Sequence, residues 1–276
     1  DELKRKILLI RKYCNVPICI DTEGAQIRTK LKTNKKIKFR KGNILTVHKN
    51  KGQLSFYPDY VFNKIKNGDY LDIGFEGLKI KVTKKNSDKI KFKCTSPGFL
   101  ENNKGVHIIN RKIKLDYLTA KDLKAIKIAK KLNIKNFALS FTNTKSDIIN
   151  FKKILPGDKK YFKLETSKAI SNLSYFFKTE KNFLIDRGDL SKDIGIAKIP
   201  VVQRQIFNQC KKDKKNRPKV AVATNFLESM INKPFPTRAE VNDIFNALEM
   251  GASGLVLAGE TAMGNYPKEC VKLLRD

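Results

Sequence analysis

The sequence lacks the patterns that mark membrane and secreted proteins. No stretch of its 276 residues approaches the roughly 18 to 20 consecutive apolar residues that a membrane-spanning helix needs. The first five residues, D-E-L-K-R, do not have the order of charged and apolar residues that is typical of a secretory signal peptide. We therefore expect a cytoplasmic protein that has no membrane as a partner.

Cysteine and histidine are too few and too scattered to form a zinc site. The five cysteines include no C-x-x-C pair, and only two histidines accompany them. A structural zinc site needs four such ligands at short spacings. The pattern instead favours reduced, structural thiols in a reducing compartment.

Acidic residues are scarce relative to basic ones. Lysine and arginine together number 58 against 27 aspartates and glutamates, which gives a formal net charge of +31. A surface of this charge binds nucleic acid at low salt. Only ten of the basic residues are arginine, however, and the lysines are spread along the chain among isoleucine and asparagine. These residue types share AT-rich codons, so genome composition explains the excess without a function, and nucleic-acid binding stays open as the alternative.

Short apolar runs alternate with helical periodicity in the second half of the chain. The runs have the length of buried parallel strands and lie at residues 134–141, 161–164, 183–185, 219–223 and 254–257. Capping-box patterns at residues 119–122 and 237–240 begin two of the intervening helices, and Gly251 is suited to end the second. This alternation predicts parallel βαβ units.

Residues 31–115 have a different pattern. Pieces of alternating apolar and polar residues, separated by glycines, predict short antiparallel strands. This region follows one strand-like run at residues 16–20. We therefore predict an α/β domain of residues 1–30 and 116–276, with a small antiparallel β domain of residues 31–115 inserted in it.

Polar residues follow the predicted parallel strands at their carboxyl ends, which meet at one edge of such a sheet. Glu165 and Asp189 lie at neighbouring strand ends, and two carboxylates suit Mg²⁺. Lys163 is placed to neutralise charge on a transferring phosphoryl group or an enolate.

Several segments resemble the pyruvate kinase family. They are D-T-E-G-A-Q-I-R-T from residue 21, F-K-L-E from 162, R-G-D-L from 187, A-T-N-F-L-E-S-M from 223, P-T-R-A-E-V from 236 and G-E-T-A-M-G-N-Y-P from 259. The resemblance covers essentially the whole chain and is most specific in its last fifty residues. It implies a TIM-type (β/α)8 barrel, incomplete in this chain, whose strands three to eight are present and whose inserted domain is a small antiparallel β-barrel.

The resemblance also implies a reaction and a set of site residues. The reaction transfers the phosphoryl group of phosphoenolpyruvate to ADP, giving pyruvate and ATP in glycolysis, with Mg²⁺ or Mn²⁺ and K⁺ as cofactors. Carried over position by position, the roles fall on catalytic Lys163, Arg28 and Thr224; Mg²⁺ ligands Glu165 and Asp189; K⁺ ligands Asp21 and Thr22; substrate-binding Arg187, Gly188, Asp189 and Thr224; and nucleotide-binding Lys104. Phosphoenolpyruvate and ADP are the expected partners, and a homo-oligomer is a further candidate.

The chain departs from the family pattern at positions that bear on activity. The resemblance implies that two N-terminal barrel strands and the C-terminal regulatory domain of the family are not represented in this sequence, so we expect a fragment of a longer protein or a reduced natural relative. Ala258 stands where the family has a serine tied to proton delivery, and Gln26 replaces a glutamate associated with K⁺ dependence. Asp186 replaces a small residue and adds negative charge beside the carboxylate-binding backbone. An alternative therefore stays open, a catalytically impaired relative that acts as a basic assembly or nucleic-acid-associated component, or as a sensor that binds without turnover.

Overall fold

A computed structural model describes residues 2–33, 35–49, 52–74, 77–212 and 215–276. The chain divides into two compact units, unit 1 (Asp1–Gly24 and Ala120–Asp276) and unit 2 (Ala25–Thr119). The sequence analysis placed the boundaries after residues 30 and 115, whereas these divisions fall after Gly24 and Thr119. None of the helices in the described ranges combines the length and the hydropathy needed to cross a membrane.

The strands are numbered in chain order over the described residues. They are β1 (Cys19–Asp21), β2 (Ile27–Leu31), β3 (Ile37–Phe39), β4 (Ile44–His48), β5 (Leu54–Tyr57), β6 (Tyr70–Ile73), β7 (Leu78–Lys85), β8 (Lys89–Ser96), β9 (Gly98–Leu100), β10 (Gly105–Ile108), β11 (Asn136–Leu139), β12 (Lys159–Leu164), β13 (Asn182–Asp186), β14 (Lys219–Ala223) and β15 (Gly254–Val256).

The helices are numbered in the same way. They are α1 (Glu2–Tyr13), α2 (Val61–Lys64), α3 (Ala120–Lys131), α4 (Lys145–Ile154), α5 (Ser167–Ser171), α6 (Leu173–Thr179), α7 (Arg187–Ile194), α8 (Ile199–Lys212), α9 (Arg238–Met250), α10 (Gly259–Ala262) and α11 (Pro267–Arg275), with 3-10 turns at Ile196–Lys198 and Glu228–Ile231.

Unit 1 is built on a curled, parallel sheet in the order β1-β11-β12-β13-β14-β15. Each strand pairs with the next one of this sheet along the chain, and helices connect them, as in a (β/α) barrel. The predicted strand at residues 219–223 is β14 itself. The first predicted strand is displaced, because β1 begins at Cys19 and Val16 is 59% exposed.

The core of unit 1 includes a cluster of phenylalanines, and their packing shows which face of β12 is turned towards the helices. The ring of Phe162 on β12 lies 6.3 Å from that of Phe151 on α4 and 6.1 Å from that of Phe183 on β13. Phe177 of α6 packs edge-on against Phe183 at 4.9 Å. Because side chains alternate along a strand, Lys163 points to the face opposite that of Phe162, away from the helices.

Helix α9 confirms the capping prediction made from the sequence. Thr237 accepts a hydrogen bond from the Glu240 N–H, and the Glu240 carboxylate accepts one from the Thr237 N–H. Gly251 ends the helix in the left-handed conformation, with φ of 103°.

Unit 2 is an antiparallel sheet in the order β4-β8-β7-β6-β10-β2-β5. Its edge strands β4 and β5 contact each other, so the sheet is a nearly closed barrel. Strands β7 and β8 alternate buried and exposed residues, which sends one face of each into the core. Phe56 and Phe92 meet edge to face in that core, with ring centroids 6.0 Å apart. A separate pair, β3 and β9, completes the sheets of the described residues.

Candidate active site

The ammonium group of Lys163 lies among three carboxyl groups at the carboxyl ends of β1, β12 and β13. Its Nζ is 2.9 Å from Asp21 Oδ2, 2.9 Å from Glu165 Oε1 and 3.2 Å from Asp186 Oδ2. The Lys163 side chain is 7% exposed, whereas that of Asp21 is 55% exposed. The cluster therefore has a buried side within the barrel and an open side at the strand ends.

Strand alternation and register bring these groups together. Lys163 lies on β12 and Glu165 follows the strand directly, and because they are two positions apart their side chains lie on the same face. Leu164 pairs with Ile185 in the parallel register of β12 and β13, so the next residues along the two chains, Glu165 and Asp186, emerge side by side.

Glu165 is wholly buried, and its two oxygens have different surroundings. The Phe141 N–H donates to Oε2, and Phe141 has a left-handed backbone, with φ of 51°, that directs this N–H. Oε1 makes the ion pair with Lys163 but accepts no hydrogen bond of ordinary geometry from the described residues. Burial, together with the charges of Asp186 and Asp189, raises the pKa of Glu165, whereas the ion pair with Lys163 and the hydrogen bond from the Phe141 N–H oppose this shift and favour the carboxylate.

Lys163 stays protonated at neutral pH. Burial by itself disfavours the ammonium form, but the negative charges of Glu165 and Asp21, and then that of Asp186, outweigh burial and raise the Lys163 pKa above its ordinary value. A lysine in this state cannot act as a general base. It can act as a fixed positive charge in a site of low dielectric.

Glu165, Asp186 and Asp189 form a group that can hold a divalent cation. Each contributes an oxygen, and these oxygens lie within 4.8 Å of one another. Two oxygens on opposite sides of an ion at 2.0 to 2.6 Å are about 4 to 5 Å apart, so this spacing lets the three groups share one ion. The buried Oε1 of Glu165 has only the ion pair with Lys163 among the described residues, so it has a lone pair that can bind a cation. The residues present therefore fit Mg²⁺ or Mn²⁺.

Arg187 joins the start of α7 to the end of β14. Its Nε and Nη2 donate to the Thr224 carbonyl oxygen, and its Nη1 pairs with Asp243 Oδ2 at 2.6 Å. The guanidinium lies over the Phe226 ring at 4.1 Å from the centroid. The Arg187 guanidinium is thus bound by protein groups at its nitrogens and covered on one face by an aromatic ring. Beside it, the Gly188 N–H donates to Thr224 Oγ1 at 3.0 Å.

Asp21 and Thr22 are held by Ser140, which follows β11. The Ser140 hydroxyl donates to Asp21 Oδ1 at 3.0 Å, and the Ser140 N–H donates to Thr22 Oγ1 at 3.0 Å. The next turn passes so close to this strand end that a Cβ on Gly24 would lie 2.5 Å from the Ser140 carbonyl oxygen. The buried Asp122 carboxylate fixes the turn by accepting the N–H groups of Glu23 and Gly24.

Arg28 and Lys104 belong to unit 2, where the structure places them on adjacent segments: Arg28 is on β2, and Lys104 directly precedes β10. Arg28 pairs with Gly105 between β2 and β10, one residue beyond Lys104. Its Nη1 donates to the Asn103 carbonyl oxygen at 3.1 Å, and its buried Nε has no hydrogen-bond acceptor among the described residues. Lys104 is 39% exposed and forms an ion pair with Glu101 at 3.4 Å.

The sequence analysis singled out most of these residues but missed three of the arrangements. Asp186 was noted only as an added charge, although an N-cap residue and the third residue of a helix lie close together, so its spacing from Asp189 could have indicated a shared site. Asp243 and Phe226, which hold Arg187, carry no local signal, since both contacts join elements distant in sequence.

Comparisons with known proteins agree on one family. The family model described as the barrel domain of pyruvate kinase matches residues 4–271. The pyruvate kinases of Staphylococcus aureus strains USA300, COL and N315 are each 32% identical to this chain over 292 residues, which cover 100% of the chain and 49% of the relative. The chain therefore spans about half the length of the curated relatives it matches.

Proposed function

Because the chain belongs to the pyruvate kinase family, we propose that the protein containing it transfers the phosphoryl group of phosphoenolpyruvate to ADP, giving pyruvate and ATP in glycolysis. The observation that carries the proposal is the buried ammonium of Lys163, set among carboxyl groups at three neighbouring strand ends. Buried groups of both signs in such close contact suit a site that handles both a cation and an anionic substrate.

Glu165 and Asp189 are the proposed protein ligands of Mg²⁺ or Mn²⁺. When bound, the cation supplies positive charge to the oxygens of the phosphoryl group. The buried position of Glu165, with Phe141 donating to its second oxygen, holds its ligand atom in place. A preorganised ligand of this kind loses little conformational freedom when the ion arrives.

Lys163 is the proposed electrostatic catalyst. Its raised pKa keeps it as an ammonium ion, which stabilises the negative charge on the transferring phosphoryl oxygens and on the enolate left behind. The charge is already in place before the reaction, so it requires no reorganisation at the transition state.

Thr224, Gly188 and Arg187 are proposed to form the wall that receives the substrate. Gly188 and Asp189 lie in the first turn of α7, where backbone N–H groups attract a carboxylate. Thr224 is fixed beside them by the Gly188 N–H, and Arg187 positions both strand ends through the Thr224 carbonyl. In this arrangement, Arg187 contributes to substrate binding by positioning the backbone.

The remaining residues of the proposal rest on the family resemblance together with local observations. Arg28 is proposed to bind a phosphoryl group, which would give its buried Nε an acceptor, and Lys104 to contact the nucleotide phosphates. Asp21 and Thr22 are proposed K⁺ ligands, although Ser140 already bonds to both side chains. All five cysteines are free thiols, as suits the cytoplasm.

A coupled assay tests the proposed function. The full-length protein containing this chain, supplied with Mg²⁺, K⁺, ADP and phosphoenolpyruvate, should produce pyruvate that lactate dehydrogenase converts with loss of NADH absorbance. The Lys163→Met variant should lose roughly 10²- to 10³-fold in kcat. Lys159→Met, which changes an exposed lysine at the other end of β12, should keep the activity of the unaltered protein. No signal above the blank would contradict the proposal, and binding of phosphoenolpyruvate without turnover would identify the sensor alternative instead.

A further inference from the structure

We propose that Asp186 is a third carboxylate ligand of the divalent cation, so that this site holds the ion firmly before the substrate arrives. The inference rests on the proposed function for the assignment of Glu165 and Asp189 as the other two ligands. It departs from the family pattern, in which a small residue without a ligand atom occupies this position.

The first support is the placement of Asp186. Its carboxyl group belongs to the set whose oxygens lie within 4.8 Å of one another, together with Glu165 and Asp189. Asp186 is the last residue of β13 and Asp189 lies in the first turn of α7, so the two come from one rigid strand-to-helix junction. Asp186 is the N-cap residue of α7 and Asp189 is its third residue, two positions whose side chains lie close together at a helix start.

The second support is the buried oxygen of Glu165. Its side chain is 0% exposed, yet Oε1 accepts no hydrogen bond of ordinary geometry from the described residues and has the Lys163 ion pair as its contact there. A carboxylate oxygen can accept two bonds, so Oε1 retains a lone pair for a second partner beside Lys163. A cation shared with Asp186 and Asp189 would be that partner.

The third support is the balance of charge. Three carboxyl groups, those of Asp21, Glu165 and Asp186, contact the ammonium group of Lys163, and the Asp189 carboxyl group lies beside two of them. Lys163 alone cannot balance them. A divalent cation that binds Asp186 would also draw this carboxylate away from Lys163, which lies 3.2 Å from it, and leave the ammonium free to face the phosphoryl group.

A third protein ligand changes what the substrate must supply. Mg²⁺ and Mn²⁺ sites that offer one or two carboxylates fill their remaining positions with water and substrate oxygens. With Asp186 bound, one of those positions is taken by the protein. The cation should therefore bind more tightly in the absence of phosphoenolpyruvate, and one fewer water molecule should remain on it.

Manganese binding to the full-length protein, without phosphoenolpyruvate, tests the inference. Free Mn²⁺ is measured by electron paramagnetic resonance during titration, and the water molecules on bound Mn²⁺ are counted by water proton relaxation. Asp186→Asn should weaken Mn²⁺ binding about 10- to 100-fold because its amide oxygen is neutral, and Asp186→Ala, which removes the ligand atom, should also add one water molecule to the bound ion. Asp193→Asn is the matched control: it removes a carboxylate from α7, the helix that directly follows Asp186, at a residue that accepts the Ser167 N–H and lies outside the ligand group.

The outcomes separate the inference from the proposed function. Equal Mn²⁺ affinity for Asp186→Asn and the unaltered protein would overturn the inference, as would unchanged hydration in Asp186→Ala or absence of Mn²⁺ binding by the unaltered protein. An equal loss for Asp193→Asn would also overturn it, because the effect would then be one of general charge. Circular dichroism checks that each variant is folded, and Asp186→Ala gives a second measurement if the asparagine variant is not. If Mn²⁺ binds as expected while the coupled assay stays blank, the inference stands and the proposed function fails.

Discussion

The backbone N–H of Gly188 donates to Thr224 Oγ1 at 3.0 Å, which joins the first turn of α7 to the end of β14. Thr224 makes this contact from a left-handed backbone, with φ of 74°, a conformation that a β-branched residue rarely adopts. Strain of this kind persists where surrounding contacts impose it and is typical of functional sites. The contacts of Thr224 with Gly188 and Arg187 hold it in this conformation.

Removing that hydroxyl should impair the site with little effect on the fold. Thr224→Val keeps the shape but leaves the half-buried Gly188 N–H without its acceptor, at a cost of about 1 kcal/mol. We expect kcat/KM for phosphoenolpyruvate to fall about 5-fold if this cost is borne by the substrate complex, since about 1.4 kcal/mol corresponds to a factor of ten. Thr224→Ser retains the hydroxyl and should stay within a few-fold of the unaltered protein. Similar kinetics for valine and serine would show that the hydroxyl has no role.

Arg187 should contribute to stability through its position between strand ends. Arg187→Met removes the bonds to the Thr224 carbonyl and the pair with Asp243. We expect the free energy of unfolding in urea to fall by about 2 kcal/mol, because Asp243 is 36% exposed and water compensates it in part. Arg204→Met, at an exposed position on α8, should change it by less than about 0.5 kcal/mol. A loss of equal size in both variants would contradict this role.

Gly24 should tolerate no side chain. Alanine there would place Cβ 2.5 Å from the Ser140 carbonyl oxygen, in a backbone with φ of 65°. We expect Gly24→Ala to displace the turn after β1, to lower the melting temperature and to reduce activity. Gly157→Ala is the matched control, because φ there is 75° but a Cβ meets nothing within 4 Å, so only about 1 to 2 kcal/mol of backbone strain applies. Equal losses in the two variants would show that the close approach to Ser140 has no consequence.

Ala258 offers a test by gain of function. The family has a serine tied to protonation of the enolate at this position, and Ala258 is exposed just after β15, where a hydroxyl would meet water. If protonation limits turnover, Ala258→Ser in the full-length protein should raise kcat by about 10-fold or more, because a positioned proton donor contributes roughly 10²- to 10⁴-fold. The KM for phosphoenolpyruvate should stay the same. An unchanged kcat would mean that another group delivers the proton or that a different step limits the rate.

Asp69 and Arg111 should make the stability of unit 2 depend on pH. Asp69 is buried, and burial opposes its ionisation, but hydrogen bonds from Arg111 at 2.7 Å and from the Lys66 N–H outweigh burial and lower the Asp69 pKa. A carboxyl group with a lowered folded-state pKa contributes stability above its unfolded pKa of about 3.9, and this contribution is lost as the pH falls through the folded value.

Hydrogen exchange of the β6 and β7 amides measures this contribution within unit 2. Arg111→Met should reduce their protection by about 2 to 3 kcal/mol at pH 7. The difference between the variant and the unaltered protein should be constant near neutral pH and should shrink as the pH falls from about 5 towards 3. A difference that is independent of pH across this range would show that the pair acts through packing alone.

Sequence patterns predicted a helix or strand accurately where all the residues that define it lie in one short segment. The capping box of α9 and its terminal glycine are contained in short segments, and β14 has the predicted bounds. The prediction was less accurate for the first strand, because an apolar run indicates that residues can be buried and does not show which of them are. Val16 lies outside β1 and is exposed, whereas Asp21 is the last residue of the strand.

In the candidate site, the sequence likewise predicted the residue types but not all of their contacts. The motifs identified Lys163, Glu165 and Asp189 as polar residues at strand ends, and their types suggested a cation and a phosphoryl group. The contacts of Asp186 with Lys163 depend on the register of β12 against β13. A shift of that register by one residue would direct the carboxylate to the other face, and no short segment of sequence specifies the register.

The amino-acid sequence by itself determined the family, the order of strands and helices and the residue types at each strand end, because these follow from motifs and local periodicity. Only the tertiary structure decided that Asp186 shares a site with Glu165 and Asp189, that Arg187 is occupied by Thr224 and Asp243, and that Glu165 is wholly buried. These facts are distances and burial between residues far apart in the chain, which depend on how the strands pair and how the helices pack. Electrostatic effects such as the raised pKa of Glu165 depend on those same distances and on the exclusion of water.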